Sequence, residues 1–487
     1  MSLKQKTING LFWSFIDSFA NQGVQFIVGI ILARILSPRE FGLIGMLTIF
    51  IAISQSFVDS GFSNALIRKK DCTQEDYSTV FYFNLLVGIL LYLILFFSAS
   101  PISSFFKEPQ LTLLLKILGL GVVFNAFGLI HRTILTKEIN FKLQTRVSLV
   151  ASIGSGSIAV TMALLGYGVW SLVVLTLARF GLNTLFFWIW AKWKPLHVFS
   201  KKSFNELFAF GSKLLLSGLI DTIYRNVYYL IIGKYFSAKE LGFYTRADQF
   251  KAFPSQNLNN IIRRVSYPVL SSIQEDTDKL KQAYQKIIRT TMFVTFCLML
   301  GMAAVAKPMI VTLIGEKWLP SVIYLQMLCF VGMFYPLHAL NLNMLQVQGR
   351  SDLFLKLEII KKVLAVPTII IGIFWGIKLM ILGMFINTIF EYYLNSLWSG
   401  KLLNYSFKNQ VKDIMPAFST ALIMAIIVYS LGVLIDRPPI LLLLFQIITG
   451  AVLIVFFGEL TQLKDYIFLK SLVLEKITIL KRNEKVK

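Results

Sequence analysis

Acidic side chains are scarce in this chain: 25 Asp and Glu stand against 48 Lys and Arg in 487 residues. Charge of either sign is rare too, at 15% of positions, while 56% are hydrophobic and the mean hydropathy is +0.68. A soluble chain of this size could not hide so much apolar surface in a core. Cysteine is nearly absent. Cys72, Cys297 and Cys329 supply no disulfide framework and no metal spacing. His131, His197 and His338 are the three histidines and lie far apart, so there is no HExxH or similar metal motif. A phosphate-cradling GxxxxGK[ST] is also missing. Gly154-Ser155-Gly156-Ser157 lacks the lysine and sits in an apolar stretch, where small residues serve helix packing. These absences argue against ATP-driven transport by this chain alone and imply neither a metal nor a cofactor.

What fills the sequence is fourteen apolar stretches of bilayer-spanning length: 10–36, 41–66, 78–99, 111–131, 147–167, 169–191, 207–235, 241–267, 288–306, 321–345, 357–376, 378–399, 414–434 and 439–458. The first is too long for a signal-peptide core and no small-residue cleavage site follows it, so it reads as a retained span. Between them lie short segments that alternate between basic and charge-poor. Counting the span ends with the adjoining segments, the side of the N-terminus holds 33 Lys and Arg and the other side 10, with five more deep inside the spans. The positive-inside rule therefore places both termini of this multi-pass protein in the cytoplasm. The net charge of +23, which in a soluble protein suggests nucleic acid, here follows topology and favours anionic membrane lipids as neighbours.

A repeat appears at an offset of 200. Residues 31–50 read ILARILSPREFGLIGMLTIF and residues 231–250 read IIGKYFSAKELGFYTRADQF, sharing Ile, Ser, Glu, Gly and Phe at five positions. Both join a first span to a second through an outward turn. An even number of spans per repeat preserves orientation, so the expected fold is all-α and membrane-embedded. It has two six-helix lobes related by a pseudo-twofold axis along the membrane normal, plus two C-terminal helices. The expected organisation is an N-lobe at 1–192, a cytoplasmic linker at 193–206, a C-lobe at 207–400, helices 13 and 14 at 401–459, and an amphipathic cytoplasmic tail at 460–487.

The segments LARILSPREFGLIGM and DSGFSNALIRKKDCTQEDYSTVFYFNLLVG (Asp59 to Gly88) resemble polysaccharide-repeat-unit flippases of the Wzx type. These belong to the multidrug/oligosaccharidyl-lipid/polysaccharide exporter superfamily. LGFYTRADQFKAFPSQNLNNIIRRVSYPVLSSIQED (Leu241 to Asp276) is similar to the family's equivalent hairpin in the second lobe, in the subfamily of colanic-acid and teichuronic-acid exporters. The resemblance covers nearly the whole chain. It implies a fourteen-helix fold in the bacterial cytoplasmic membrane that moves undecaprenyl-diphosphate-linked oligosaccharide units from the cytoplasmic to the periplasmic leaflet for lipopolysaccharide or exopolysaccharide assembly. A polysaccharide polymerase and glycosyltransferases would be its working partners. Three rivals stand beside it: a multidrug or cation antiporter of the same fold, a peptidoglycan-precursor flippase, and a glycan polymerase or ligase. The last needs an external catalytic platform, and the longest outward loop, Lys307 to Pro320, is about fourteen residues. No catalytic residue is therefore assigned.

Ionisable groups inside a membrane are expensive, which makes each a candidate for function. Asp221 and Arg225 lie one turn apart in span 7, and Arg246, Asp248 and Lys251 follow in span 8; Arg179 sits in span 6. Arg225 and Lys251 are at similar depth. With Arg246 and Arg179 in support, they suit a lipid-linked diphosphate, whose oxygens accept charge-assisted hydrogen bonds. The competing reading pairs Asp221 with Arg225, and Asp248 with Lys251 or Arg246, as locks between helices. The offset of 200 sets Asn21 opposite Asp221 and Gln25 opposite Arg225, so the cavity is expected to be neutral on one side and basic on the other. Asp17 and Asp59 are level with one another in spans 1 and 2, and Glu391 lies in span 12. These carboxylates read either as ion-coupling groups or as structural ones.

Overall fold

Lipid offers no hydrogen bonds to a backbone, so a spanning segment must satisfy its own N–H and C=O groups, and a chain this apolar resolves into helices. The computed structural model describes residues 3–59 and 61–484, and among them every regular element is helical. They form two compact units, Met1–Thr245 and Arg246–Lys487.

The first unit contains α1 (Leu3–Ile35), α2 (Pro38–Asp59), α3 (Phe62–Arg68), α4 (Gln74–Phe106), α5 (Leu111–Leu118), α6 (Leu120–Lys137), α7 (Phe141–Leu164), α8 (Val169–Trp190), α9 (Lys201–Tyr235) and the start of α10 (Ala238–Ser271). The second holds the rest of α10, then α11 (Thr277–Ala304), α12 (Ala306–Ile314), α13 (Ser321–Gly332), α14 (Tyr335–Val347), α15 (Ser351–Trp375), α16 (Ile377–Leu403), α17 (Phe407–Leu434), α18 (Pro439–Leu460) and α19 (Lys464–Glu484). Side-chain caps open several of them. Thr73 and Asp76 form a reciprocal capping box at α4, and Ser200, Asp276 and Ser406 cap α9, α11 and α17.

Twelve segments among the described residues are long and apolar enough to cross a bilayer. Fourteen were expected; the other two, 241–267 and 357–376, fall on α10 and α15. At 34 and 25 residues both have the length; α10 is too polar, and α15, though apolar, gathers Glu358, Lys361 and Lys362 within its length. Three expected spans are also broken. Span 2 divides into α2 and α3 at Gly61, whose φ of 69° is left-handed and whose missing side chain leaves room for the Gly211 carbonyl of α9. Spans 4 and 10 divide into α5–α6 and α13–α14.

The helix pairings recur in chain order. In the first unit α4 packs on α5 and α6, α6 on α8, and α7 on α8; in the second α11 packs on α13 and α14, α14 on α16, and α15 on α16. Even a turn is duplicated. Asn140 N–H donates to Leu135 O at 2.8 Å, and Arg350 N–H to Leu345 O at 2.9 Å, with the residue before each in a left-handed conformation: Ile139 at φ 59° and Gly349 at φ 69°.

The repeated hairpins also touch one another inside the first unit. A Cβ on Gly42 would collide with the carbonyl of Ala238, and a Cβ on Gly242 with the carbonyl of Pro38. Gly42 and Gly242 are 200 residues apart, as are Pro38 and Ala238. The contact is therefore isologous, one glycine of each hairpin receiving the backbone of the other. Elsewhere in this unit α1 lies along α7, while α9 packs on α2, α3 and α4.

Residues 193–206 are held rather than loose. Ser78 and Thr79 of α4 accept the backbone N–H of Leu196 and Ser200, each at 2.9 Å. Trp193 donates to Gln74 at 2.5 Å. Lys69 reaches Asp76 at 3.1 Å and Glu206 at 3.0 Å. Burial acts to lower the pKa of Lys69, but the hydrogen bonds and charges of Glu206 and Asp76 outweigh it and raise the pKa.

Candidate translocation site

In the first unit, Asp17, Asn21 and Gln25 follow one another at intervals of four and so share one face of α1. That face meets α7 and α8 through polar groups. Asn21 Nδ2 donates to Asp17 Oδ1 and to Ser148 Oγ, both at 2.8 Å, while Ser152 Oγ donates to Asn21 Oδ1 at 2.8 Å. Ser148 also donates to Asp17 Oδ1. One turn earlier Thr145 reaches the Trp13 carbonyl at 3.2 Å, and two turns after Asp17 the Arg179 guanidinium donates to Gln25 Oε1 at 2.8 Å. The result is a polar track along about 18 Å of helix, from Trp13 to Gln25. Ser148, Ser152 and Thr145 were not singled out from sequence, because serine and threonine in apolar helices commonly bond their own preceding carbonyls.

On α9 the predicted pair forms: Arg225 Nε lies 2.9 Å from Asp221 Oδ2. These side chains are nonetheless 69% and 44% exposed, ten residues or more from the end of a helix apolar enough to span a bilayer. Thr222, beside them, bonds Ser56 of α2 at 2.9 Å.

In the second unit Lys251 is in a different position. Its side chain is 5% exposed, its ammonium is 2.6 Å from Asp248 Oδ1, and it lies 5.0 Å from the ring centroid of Tyr335. The stem packs so closely on Gly332 that a Cβ there would come within 2.8 Å of it. Arg246 is buried one turn before. Glu391 of α16 accepts a hydrogen bond from Asn387 at 2.9 Å. Of the two cations ranked first from sequence, Arg225 is thus accessible and Lys251 enclosed. Asp17 and Asp59 also differ: Asp17 joins the α1–α7 track, whereas Asp59 ends α2 with its Oδ1 buried and taking no described hydrogen bond.

A polysaccharide biosynthesis protein family profile matches residues 31–323, well over half of the chain. The chain belongs to that family. It is 27% identical over 444 residues to the lipopolysaccharide biosynthesis protein WzxC of Escherichia coli, covering 89% of each chain. To the teichuronic acid biosynthesis protein TuaB of Bacillus subtilis it is 27% identical over 358 residues, 72% of this chain and 73% of that one. Its fold is similar to that of the lipid II flippase MurJ in an inward closed conformation, with a TM-score of 0.77, 18% identity, and coverage of 95% of this chain and 100% of that chain. The protein is a multi-pass, all-helical membrane protein of this family.

Proposed function

We propose that the protein is a flippase rather than an enzyme. It carries undecaprenyl-diphosphate-linked oligosaccharide units from the cytoplasmic to the outer leaflet by alternating access, for assembly of a surface polysaccharide. Glycosyltransferases would supply that substrate and a polymerase consume it. The relatives' names support the substrate class, and the similarity to MurJ supports a fold able to move a lipid-linked headgroup. In this reading α10 and α15 are the two remaining spans of a fourteen-helix bundle, their charges directed toward water or partners rather than lipid. The recurring helix pairings and the isologous glycine contact support two pseudo-symmetric lobes.

The observation that carries the reading is Arg225. A guanidinium more than two-thirds exposed within a spanning helix needs water or an anion, and its pairing with Asp221 leaves other donors of the fork unspent. A diphosphate fits that demand, with Arg179 as a supporting cation and Asn21 and Gln25 as neutral hydrogen-bonding groups on α1. A cationic drug would instead meet repulsion there.

Arg225→Gln should abolish surface glycan while protein abundance stays near normal, with Arg225→Lys intermediate because it loses the bidentate fork. The charge-swapped variant Asp221→Arg with Arg225→Asp should keep the ion pair but not restore export. Normal glycan in Arg225→Gln cells at ordinary expression overturns the assignment.

A further inference from the structure

The helical hairpins α7–α8 and α15–α16 carry the same side-chain device at one end. The Arg146 guanidinium of α7 lies 4.3 Å from the ring centroid of Trp190 on α8, and the Lys356 ammonium of α15 lies 5.7 Å from that of Trp398 on α16. The positions are equivalent. Arg146 and Lys356 each stand five residues after the first residue of their helix, and they are 210 residues apart, the spacing of the duplicated turn at Asn140 and Arg350. Trp190 and Trp398 each stand 21 residues after the first residue of theirs, and each of those helices follows a glycine of positive φ, Gly168 at 55° and Gly376 at 97°.

Each pair stands at the end of a stripe of exposed apolar side chains. On α7, Lys142, Arg146, Val150 and Ile153 share one face; on α15, Lys356, Ile359 and Val363 do. Ile153 is 55% exposed and Val363 63%, so no neighbouring helix covers either stripe. In a membrane-embedded bundle such a face lies against acyl chains. For α15 this takes the helix as a span, as proposed above.

These cations have no anion of their own. From Ile139 to Asn205 the sequence contains no Asp or Glu, and Asp17 of α1, the helix packed along α7, is met by Asn21 and Ser148. On α15, Asp352 is taken by Arg350 through both oxygens, at 3.0 and 2.8 Å, and Glu358 by Lys361. Among the described residues no carboxylate pairs with Lys142, Arg146, Lys356 or Lys401. A guanidinium stacked on an indole keeps its N–H donors in its own plane, directed outward, and an ammonium over a ring keeps the donors that point away from it. Indole itself settles at the boundary between headgroups and chains.

We propose that each hairpin end is a docking site for an anionic phospholipid of the adjacent leaflet, which the Lys and Arg asymmetry makes cytoplasmic. In the first unit the headgroup phosphate sits on Arg146, with Lys142 one turn farther out and 5.8 Å from the Trp13 ring centroid. In the second it sits on Lys356, with Lys401 5.9 Å from the same Trp398 ring. The acyl chains lie along Val150 and Ile153, or along Ile359 and Val363. The first site is the tighter one, because it offers a fork of donors rather than a point charge and because Asp352 occupies the position equivalent to Lys142. The inference needs the membrane location and goes beyond the flippase reading, on which it does not depend.

Native mass spectrometry of the purified full chain, delipidated in neutral detergent and titrated with phosphatidylglycerol or phosphatidylcholine, tests the sites. The wild type should retain two phosphatidylglycerol molecules more tightly than any phosphatidylcholine. Arg146→Gln should weaken one of them about tenfold or more and Lys356→Gln the other, while Arg146→Lys keeps part of the affinity. Lys408→Gln, which removes an exposed cation that stacks on no described ring, should change neither. Should a variant fail to fold, the wild type answers alone: phosphatidylglycerol brominated in its acyl chains should quench tryptophan fluorescence at a lower lipid-to-protein ratio than brominated phosphatidylcholine. Equal retention or equal quenching by the two lipids overturns the proposal. A loss as large in Lys408→Gln shows diffuse attraction to charge and overturns it as well. Release of bound phosphatidylglycerol by inorganic phosphate, or its replacement by undecaprenyl diphosphate at equal concentration, gives these cations to a free ion or to the transported substrate and likewise overturns it.

Discussion

Arg225 and Lys251 carry the same charge and had the same standing in the sequence, and their surroundings divide them. Lys251 is enclosed by Asp248, Tyr335 and Gly332, so it holds α10 against α13 and α14. Removing one member of a buried pair leaves the other uncompensated, at a cost of about 3–5 kcal/mol. Lys251→Met should therefore lower the yield and thermal stability of the purified protein, and adding Asp248→Asn should recover much of both. Arg225→Gln, by contrast, should leave thermal stability nearly unchanged, since exposed pairs contribute about 0–1 kcal/mol. If instead Lys251→Met purifies with wild-type stability and loses only glycan export, Lys251 belongs with the substrate. Sequence showed which charges were costly, because that follows from residue type and span position. It did not show which were enclosed, because that depends on where Gly332 and Tyr335, more than 80 residues away, come to lie.

Among the elements, the hairpins α1–α2 and α9–α10 were legible from their repeated sequence, but their mutual contact was not. Gly42 and Gly242 each admit a carbonyl of the other hairpin, so alanine at either forces backbone apart. Such overpacking costs typically about 1–3 kcal/mol. Gly23, in the middle of α1, has nothing within 4 Å of the position its Cβ would take. Gly42→Ala and Gly242→Ala should each lower the melting temperature in detergent, and by similar amounts, while Gly23→Ala should maintain or raise it. A drop for Gly23→Ala equal to the other two would show generic sensitivity of helical glycines instead. The breaks at Gly61, between α5 and α6, and between α13 and α14 escaped the hydropathy reading for a related reason: apolarity continues through a short break, and only the backbone path reveals it.

For the whole molecule, the 33 to 10 division of Lys and Arg predicts that a reporter fused after Lys487 is active in the cytoplasm and silent outside. Fusion within the Lys307–Pro320 loop should give the opposite result. Inverted activities would exclude the proposed topology and, with it, the direction of export. The basic tail is consistent with this arrangement: α19 is tied to α11 by Asp465 and Arg289 at 3.2 Å and by Phe468 beneath Lys286 at 3.7 Å.

Composition and periodicity alone determined that the chain lives in a membrane as a series of apolar helices and that two parts of its sequence repeat. Those properties come from residue-by-residue transfer energies and from spacing, which are local. The tertiary structure decided the rest: that Asp17 is met by a serine of α7, that Arg225 is open and Lys251 closed, and that Gly42 and Gly242 each receive the other hairpin's backbone. Each depends on which helix lies alongside which face, and in lipid that choice is made by close packing and side-chain hydrogen bonds between distant residues rather than by hydrophobicity, which is alike on every side.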